Sequence, residues 1–524
     1  MEVDAAPSMQ RPTRRVLVPP EAPYDLDALA STWDATGRSK LSRLLFIASS
    51  SPSLAGPALT LALRSIKALT LDVSAYEQTF QLYRSFLNSV EGGEEPDLQA
   101  RVWAESVRGR EEHLDREWME RARKEARSGM EKLEVELKGY MTNLIKESIR
   151  MGHRDLARFQ YKVGDLQGAV RSYTKSREFC TTSQHVLEMC LGVIEVALDM
   201  SNYAFIRNYV VKAESSLESS SSSSSSNKPK QPAVNLPGMV APAQDPLEAA
   251  KERERKVVLE RLTVAGAVAN LGSGAYEKAA FGFTEVGSEA LVSGPAHFIP
   301  PADIALYATL TSLATFTRSQ LRSRVLENPN LRLFLDLEPW LREIVRAFYE
   351  SRFKKGLELL AQYEPRFLLD LHLAPHFPTL LHLIQQRALS SFFSPFSSVS
   401  LSRMASAFGW SEGSTTAAVV DLIGRGMIQG RIDAAKGTLV ARKTDARTEA
   451  FRRALEEGER VQRKAKAGQL RMKLLQADLV VKPSKGGRSG GGGGGVGSGP
   501  SGGGGRTTRS GGGEQEDLGS IVLD

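Results

Sequence analysis

Only two cysteines, Cys180 and Cys190, occur in 524 residues, which excludes a disulfide framework and any four-cysteine metal cage. They read as buried thiols in a reducing compartment. Histidine is nearly as scarce, at seven, and His372, His376 and His382 form its one cluster. Pro375 breaks the helical face between the first two, and no Glu-x-x-His or His-x-His arrangement accompanies them. A zinc hydrolase needs paired His ligands, a carboxylate ligand and a Glu base, so these three read as packing or surface residues. Long apolar runs are missing as well. The longest uncharged stretch lies between Arg43 and Arg64, and Ser49, Ser50, Ser51, Pro52, Gly56 and Pro57 interrupt it, as in a loop between two helices rather than a bilayer span. At the N-terminus Arg11, Arg14 and Arg15 precede no apolar segment. Without a secretory signal, the expectation is an intracellular protein with no membrane partner.

Catalysis finds no support in the residues. Gly272, Ser273 and Gly274 resemble a phosphate loop, but no Lys-Ser/Thr follows and no strand pattern precedes them. No Ser/His/Asp or Cys/His set can be assembled either. The expectation is a protein that is not an enzyme and has no cofactor or metal. Its charge is also localised. From Arg442 to Lys485 thirteen Lys/Arg face six Asp/Glu, a surplus of seven that equals the formal charge of the whole chain, +7. An electrostatic footprint therefore belongs to one C-terminal segment and not to a basic face spread over the molecule.

The rest of the chain reads as mainly α. Residues 1–20 are an unpatterned flexible tail. Helical repeats are expected over 21–214 and again over 248–330, with apolar residues three and four apart from Leu26 through Leu45 and from Ala58 through Leu71. From Asp97 to Arg150 the chain is dense in Glu, Arg and Lys, with Leu133, Leu137, Leu144 and Ile145 marking one face. A weak repeat carries the middle of the chain. Gly164, Ala169 and Tyr173 recur at the same offsets as Gly274, Ala279 and Phe283, and a degenerate copy lies at Ser201, Ile206 and Val210. Gly reverses the chain, Ala allows close helix approach, and the aromatic fills the gap to the next repeat. This is tetratricopeptide-like hairpin chemistry. Residues 215–247, with the serine run Ser219 to Ser226 and its Pro-rich continuation, read as a disordered insertion.

A helical bundle is expected over 331–396, with Leu337, Leu341, Ile344, Val345, Phe348 and Tyr349 on one face and Phe353, Leu357 and Leu360 on the next. Then the period changes. Two short helices and a hairpin turning at Lys436 and Gly437 predict a winged helix over 397–441. Its second helix, Ser414 to Gly424, holds Asp421 and no Lys or Arg, which weighs against DNA reading. The expectation is a hairpin edge that adds strands to a neighbour, with Ile428, Ile432 and Leu439 as its interaction residues. A long helix over 442–482 follows, whose Val461, Ala465, Gly468, Met472, Leu475 and Leu479 alternate at four and three residues and form a helix-packing seam. The Gly-rich stretch 483–524 is a disordered tail.

A repeat solenoid, a winged helix and then a long helix is the layout of the PCI-domain subunits of the proteasome lid, signalosome and translation-initiation complexes. Within that group, "LRLFLDLEPWLREIVRAFYESRFKKGLELL" from Leu331, "FLLDLHLAPHFPTLLHLIQQRALSSFFSPF", "RMASAFG", "GDLQGAVRSYTKSREFCTTSQHVLEMCLGVIEV" from Gly164 and "RKAKAGQLRMKLL" from Arg463 resemble the first-subunit family of the COP-nine signalosome. The resemblance implies a scaffold in the complex that removes a ubiquitin-like modifier from cullins, with hydrolysis left to a separate zinc-dependent isopeptidase subunit. It implies as partners the other PCI-domain subunits, that isopeptidase subunit and cullin-ring ubiquitin ligases, and a cytoplasmic and nuclear location. The equivalent proteasome-lid subunit is the alternative within the class; a nucleic-acid-binding PCI protein, acting through the basic helix and tail, is the alternative outside it.

Overall fold

Helix follows helix through most of the chain, and six helix ends among the described residues, Gly409 and Gly426 included, share one backbone device. The computed structural model describes residues 16–19, 24–33, 38–91, 97–108, 112–225, 246–288, 298–442 and 446–477. Gly164, Ser201, Gly274 and Ser351 all adopt the left-handed conformation, with φ of 104°, 53°, 74° and 63°. At each, the N–H of the next residue donates to a carbonyl five residues back: Asp165 to Gln160 at 2.9 Å, Asn202 to Ala197 at 3.1 Å, Ala275 to Asn270 at 2.9 Å and Arg352 to Ala347 at 2.8 Å. That bond satisfies a carbonyl the helix end would leave unpaired and reverses the chain. The degenerate copy at Ser201 is therefore a true repeat turn. Ser351 adds a turn that the Gly-Ala-aromatic signature did not reveal.

Twelve helices precede residue 290 among the described residues: α1 Leu26–Thr32, α2 Ser39–Ser50, α3 Pro52–Leu69, α4 Val73–Glu91, α5 Leu98–Val107, α6 Arg116–Thr142, α7 Lys146–Val163, α8 Leu166–Ser176, α9 Ser183–Asp199, α10 Tyr203–Ser225, α11 Pro246–Gly272 and α12 Tyr276–Thr284. From α6 to α12 each packs on the next in order, as a solenoid requires. The repeat residues do the packing. Ala169, Ile206 and Ala279 are fully buried, and Tyr173, Val210 and Phe283 nearly so. A Cβ on Gly192 would stand 2.7 Å from the Tyr173 ring, so that aromatic fills the space a glycine on the following repeat leaves open.

Several expectations need correcting here. The loop expected around Ser49 to Pro57 is a single residue, Ser51, between α2 and α3. Pro52 stands at the first helical position, where its missing N–H costs nothing, and Gly56 lets the Trp103 ring lie where a Cβ would be, 2.2 Å away. Leu144 and Ile145 do not share a buried face with Leu137. Leu137 packs with Ile149 and Leu156, whereas Leu144 is 80% exposed at φ 53° and Ile145 is exposed in the α6–α7 turn. Helix α10 runs on to Ser225, past residue 215 where the insertion was expected to begin; residues 226–245 lie outside the described ones.

After residue 298 the core thickens around α13, Pro301–Thr315, which is buried on every side from Asp303 to Ala314. Thr309 and Thr311 return their hydroxyls to carbonyls four residues back at 2.8 and 2.6 Å, so burial leaves no unpaired hydroxyl there. A π-helical segment, Leu321–Leu326, leads to α14 Pro329–Leu335, α15 Pro339–Tyr349, α16 Phe353–Gln362, α17 Glu364–Leu368 and α18 Phe377–Phe393. Leu341, Ile344 and Val345 are buried as expected, but Leu337, between α14 and α15, is half exposed. The winged helix follows: β1 Ser398–Ser400, α19 Leu401–Phe408, α20 Glu412–Gly424, β2 Gly430–Asp433 and β3 Thr438–Ala441, in a sheet of order β1-β3-β2 with both pairings antiparallel. Its core is continuous with the helix before it: Phe353 of α16 stacks on Phe408 at 5.2 Å between centroids. A separate unit begins at Lys443, and its described helix is α21, Ala446–Gln476.

Candidate interaction surfaces

Lone charges in apolar helices build an ionic joint at the centre of the first unit. Arg43 stands among Leu44 and Ile47 on the buried side of α2, and Asp303 is the one acid of α13. The Arg43 guanidinium donates to Asp303 and lies 3.8 Å from Asp370, while Arg366 reaches Asp303 at 2.7 Å. Tyr307 donates its hydroxyl to both Asp370 oxygens at 2.8 and 2.9 Å, and the backbone N–H groups of His372 and Leu373 add two more bonds at 3.0 Å. Two cations thus balance two anions, all nearly inaccessible. Burial works against both carboxylates, but the two guanidiniums overcome it at Asp303 and hold that acid below its usual range, whereas burial and the neighbouring Asp303 push Asp370 up. Sequence reasoning missed this joint. The available signal was a single Arg or Asp inside an otherwise apolar amphipathic stripe.

The three clustered histidines are accounted for by their neighbours. His372 Nδ1 lies 3.4 Å from the Tyr203 hydroxyl, and His376 Nδ1 lies 3.2 Å from that of Tyr276. Tyr203 and Tyr276 are the first residues of α10 and α12, so two successive repeat turns each press an aromatic onto one histidine. Burial pushes His372 down to about 3 and lowers His376 as well. His382 Nε2 meets Gln386 Nε2 at 2.7 Å. Among the described residues no group of three or more His, Cys, Asp or Glu could hold a metal ion. Cys190 is buried and Cys180 half-buried, and desolvation raises both thiols, Cys190 to about 11.

In the winged helix the three proposed interaction side chains face inward. Ile428 and Leu439 belong to its buried core, and Ile432 packs against it. Leu439 sits on β3, which β1 and β2 flank on either side, so the open edges among the described strands are those of β1 and β2. The three-residue strand β1 was not foreseen, and it moves β3 from an edge to the centre. On α20 the exposed surface carries Ser414, Ala417 and Val420, with Met427 beyond its end. Glu412 opens that helix, and Asp421 neutralises Arg425 at 3.1 Å. Such a face offers phosphates no cation and offers a protein an apolar contact.

Apart from Glu449, which is half-buried, the described side chains of the long C-terminal helix α21 are exposed. Val461, Met472 and Leu475 are 63%, 62% and 54% exposed. Ala465 and Gly468 lie between them on the same seam; Leu479 lies outside the described residues. Phe451, 66% exposed, continues the alternation ten residues before Val461, through Ala454 and Gly458.

Residues 115–324 match the family described as 26S proteasome subunit RPN7, and residues 360–443 match the PCI domain. The COP9 signalosome complex subunit 1 of Arabidopsis thaliana is 34% identical over 465 residues, 88% of this chain and 92% of that protein. Subunit 1b of Drosophila melanogaster is 32% identical over 514 residues, 92% of this chain and 91% of that protein. The chain belongs to the COP9 signalosome subunit 1 family. A 26S proteasome non-ATPase regulatory subunit 6, from Caenorhabditis elegans, is 22% identical over 340 residues, 63% of this chain and 73% of that protein. Signalosome subunit 1 and this proteasome subunit are thus both relatives, and the signalosome likeness reaches across much more of the chain. The PCI match ends at residue 443, one residue into the unit that carries α21. No helix among the described residues is long and apolar enough to cross a membrane.

Proposed function

We propose that this chain is a non-catalytic scaffold subunit of a COP9 signalosome, supporting the removal of a ubiquitin-like modifier from cullin subunits of ubiquitin ligases. The observation that carries the reading is an exposed apolar seam, Val461, Met472 and Leu475, on a long helix, in a chain whose family membership spans nearly its whole length. Exposed apolar surface of that extent marks a binding face. The uncharged face of α20 and the open edges of β1 and β2 supply a second surface, for sister PCI-domain subunits. Hydrolysis is left to a zinc-dependent isopeptidase partner, cullin-ring ligases are the substrates that the assembly engages, and the complex works in cytoplasm and nucleus.

The test replaces Met472 and Leu475 together with Asp in the full chain. The variant is expected to drop out of the purified signalosome while its helical circular dichroism and thermal transition are retained. Retention of the double variant in the assembly would count against the seam as the joint. Purified complex carrying the native chain is expected to remove the modifier from cullin, and the isolated chain to leave it in place; hydrolysis by the isolated chain, or co-purification with proteasome peptidase and no cullin, defeats the reading.

A further inference from the structure

Outside the C-terminal segment the charges cancel in sum but not in place. From Pro339 to Lys355 five Lys/Arg stand against two Glu. Helix α15 buries Leu341, Ile344 and Val345, so Arg342, Glu343, Arg346 and Glu350, three and four residues apart, share its outer side. Ser351 then reverses the chain in the left-handed conformation, and α16, packed back on α15, brings Arg352 and Lys355 to the same place. Together these six residues line an open cavity of about 440 Å³, whose apolar lining among the described residues is Pro339 and Ala347. Lys355 donates to Glu343. Arg346 and Arg352 share one carboxylate, Glu350, at 3.7 and 2.9 Å, and Arg342 lies 3.6 Å from Asp336. Separations of 3.6 and 3.7 Å exceed hydrogen-bond length, so Arg342 and Arg346 keep guanidinium N–H donors for an incoming group. Their side chains are 39% and 69% exposed, and ion pairs in water are weak enough to be exchanged.

The two guanidiniums stand one helical turn apart, about 6 Å along the axis, and each is a planar fork that matches a carboxylate. An amphipathic helix needs an apolar stripe to dock on, which Pro339 and Ala347 do not supply. Glu343 and Glu350 lie among the cations and repel a compact dianion such as phosphate, but leave room for single charges spaced to miss them. In an extended peptide, side chains two residues apart point the same way at about 6.6 Å. We propose that this cavity docks an extended acidic segment of a partner protein with Asp or Glu at alternate positions, one carboxylate on Arg342 and the next on Arg346, with Arg352 and Lys355 adding to the attraction. The site is separate from the seam of α21.

The test uses the purified full-length chain and a fluorescein-labelled peptide of four Glu-Ser repeats, followed by fluorescence anisotropy at about 0.1 M salt. Saturable binding is expected, and Arg342→Glu with Arg346→Glu is expected to weaken it about tenfold or more, with the thermal transition unchanged. Arg342→Lys with Arg346→Lys, which keeps both charges and loses the forks, is expected to weaken it about threefold. A peptide of the same composition with its four Glu in one block is expected to bind more weakly than the alternating one. Lys464→Glu with Arg471→Glu, on α21, is expected to change nothing. The proposal is overturned by undiminished binding in the Arg342/Arg346 variants, by an equal loss in the Lys464/Arg471 variant, by equal binding of the blocked peptide, or by displacement of the label by inorganic phosphate at lower concentration than by unlabelled peptide. Because the free chain is the reagent, such a failure leaves the scaffold reading standing.

Discussion

His372 shows how one buried residue couples this fold to pH. Its ring is nearly inaccessible beside Tyr203, and burial holds it near 3 against an ordinary 6.5. The folded chain therefore binds fewer protons than the unfolded chain between those two values. The stability that neutral His372 contributes is complete above about pH 6.5 and is lost as pH falls, at up to about 1.4 kcal/mol per unit. His376 and His153 are lowered in the same direction by burial. Asp199 opposes them: burial raises it to about 6, so the fold gains from its protonation as pH drops. Comparing the native chain with His372→Gln isolates one contribution. The urea midpoint of the native chain is expected to fall more steeply between pH 7 and 5 than that of the variant, and parallel curves would show that His372 is not the group responsible.

At the scale of elements, the repeat turns were legible because glycine is the residue that reads most plainly as left-handed. Ser201 and Ser351 take the same conformation without that marker, and only the backbone bond to the residue five back reveals the second of them. The winged helix was legible from its change of period, while β1, Ser-Val-Ser, is too short to show alternation, and its absence misplaced Leu439 at an edge. Packing between repeats follows from the turns and has a measurable edge. At Gly272, the end of α11, a Cβ would stand 2.4 Å from the Tyr203 ring. Gly→Ala in a helix usually gains about 1 kcal/mol; here Gly272→Ala is expected to cost about 1–3 kcal/mol by overpacking. Adding Tyr203→Ser should recover part of that loss in thermal melts, and additive losses would place the clash elsewhere.

Over the whole molecule, composition located the charge surplus in residues 442–485, most of it on α21, but could not show which of the helix's charges are paired. That depended on i, i+3 and i, i+4 geometry, present in the first half of the helix and impossible in the second for want of acids. Nor could the sequence show which of its lone charges meet in the ionic joint, since the Arg43–Asp303 contact spans 260 residues. This long reach has a consequence for chain continuity. The Pro-rich residues 226–245 separate α10 from α11, yet these helices pack together, Arg255 donates to the Leu217 carbonyl at 3.1 Å, and α2 is locked to α13 by buried charge. Covalent connection through that stretch is thus redundant for holding the halves together. A chain cut there, or expressed as residues 1–230 and 240–524, is expected to purify as one non-covalent particle. Arg43→Ala, which leaves Asp303 and Asp370 short of a buried cation at a cost of about 3–5 kcal/mol, should loosen that particle on a sizing column far more than it loosens the intact protein.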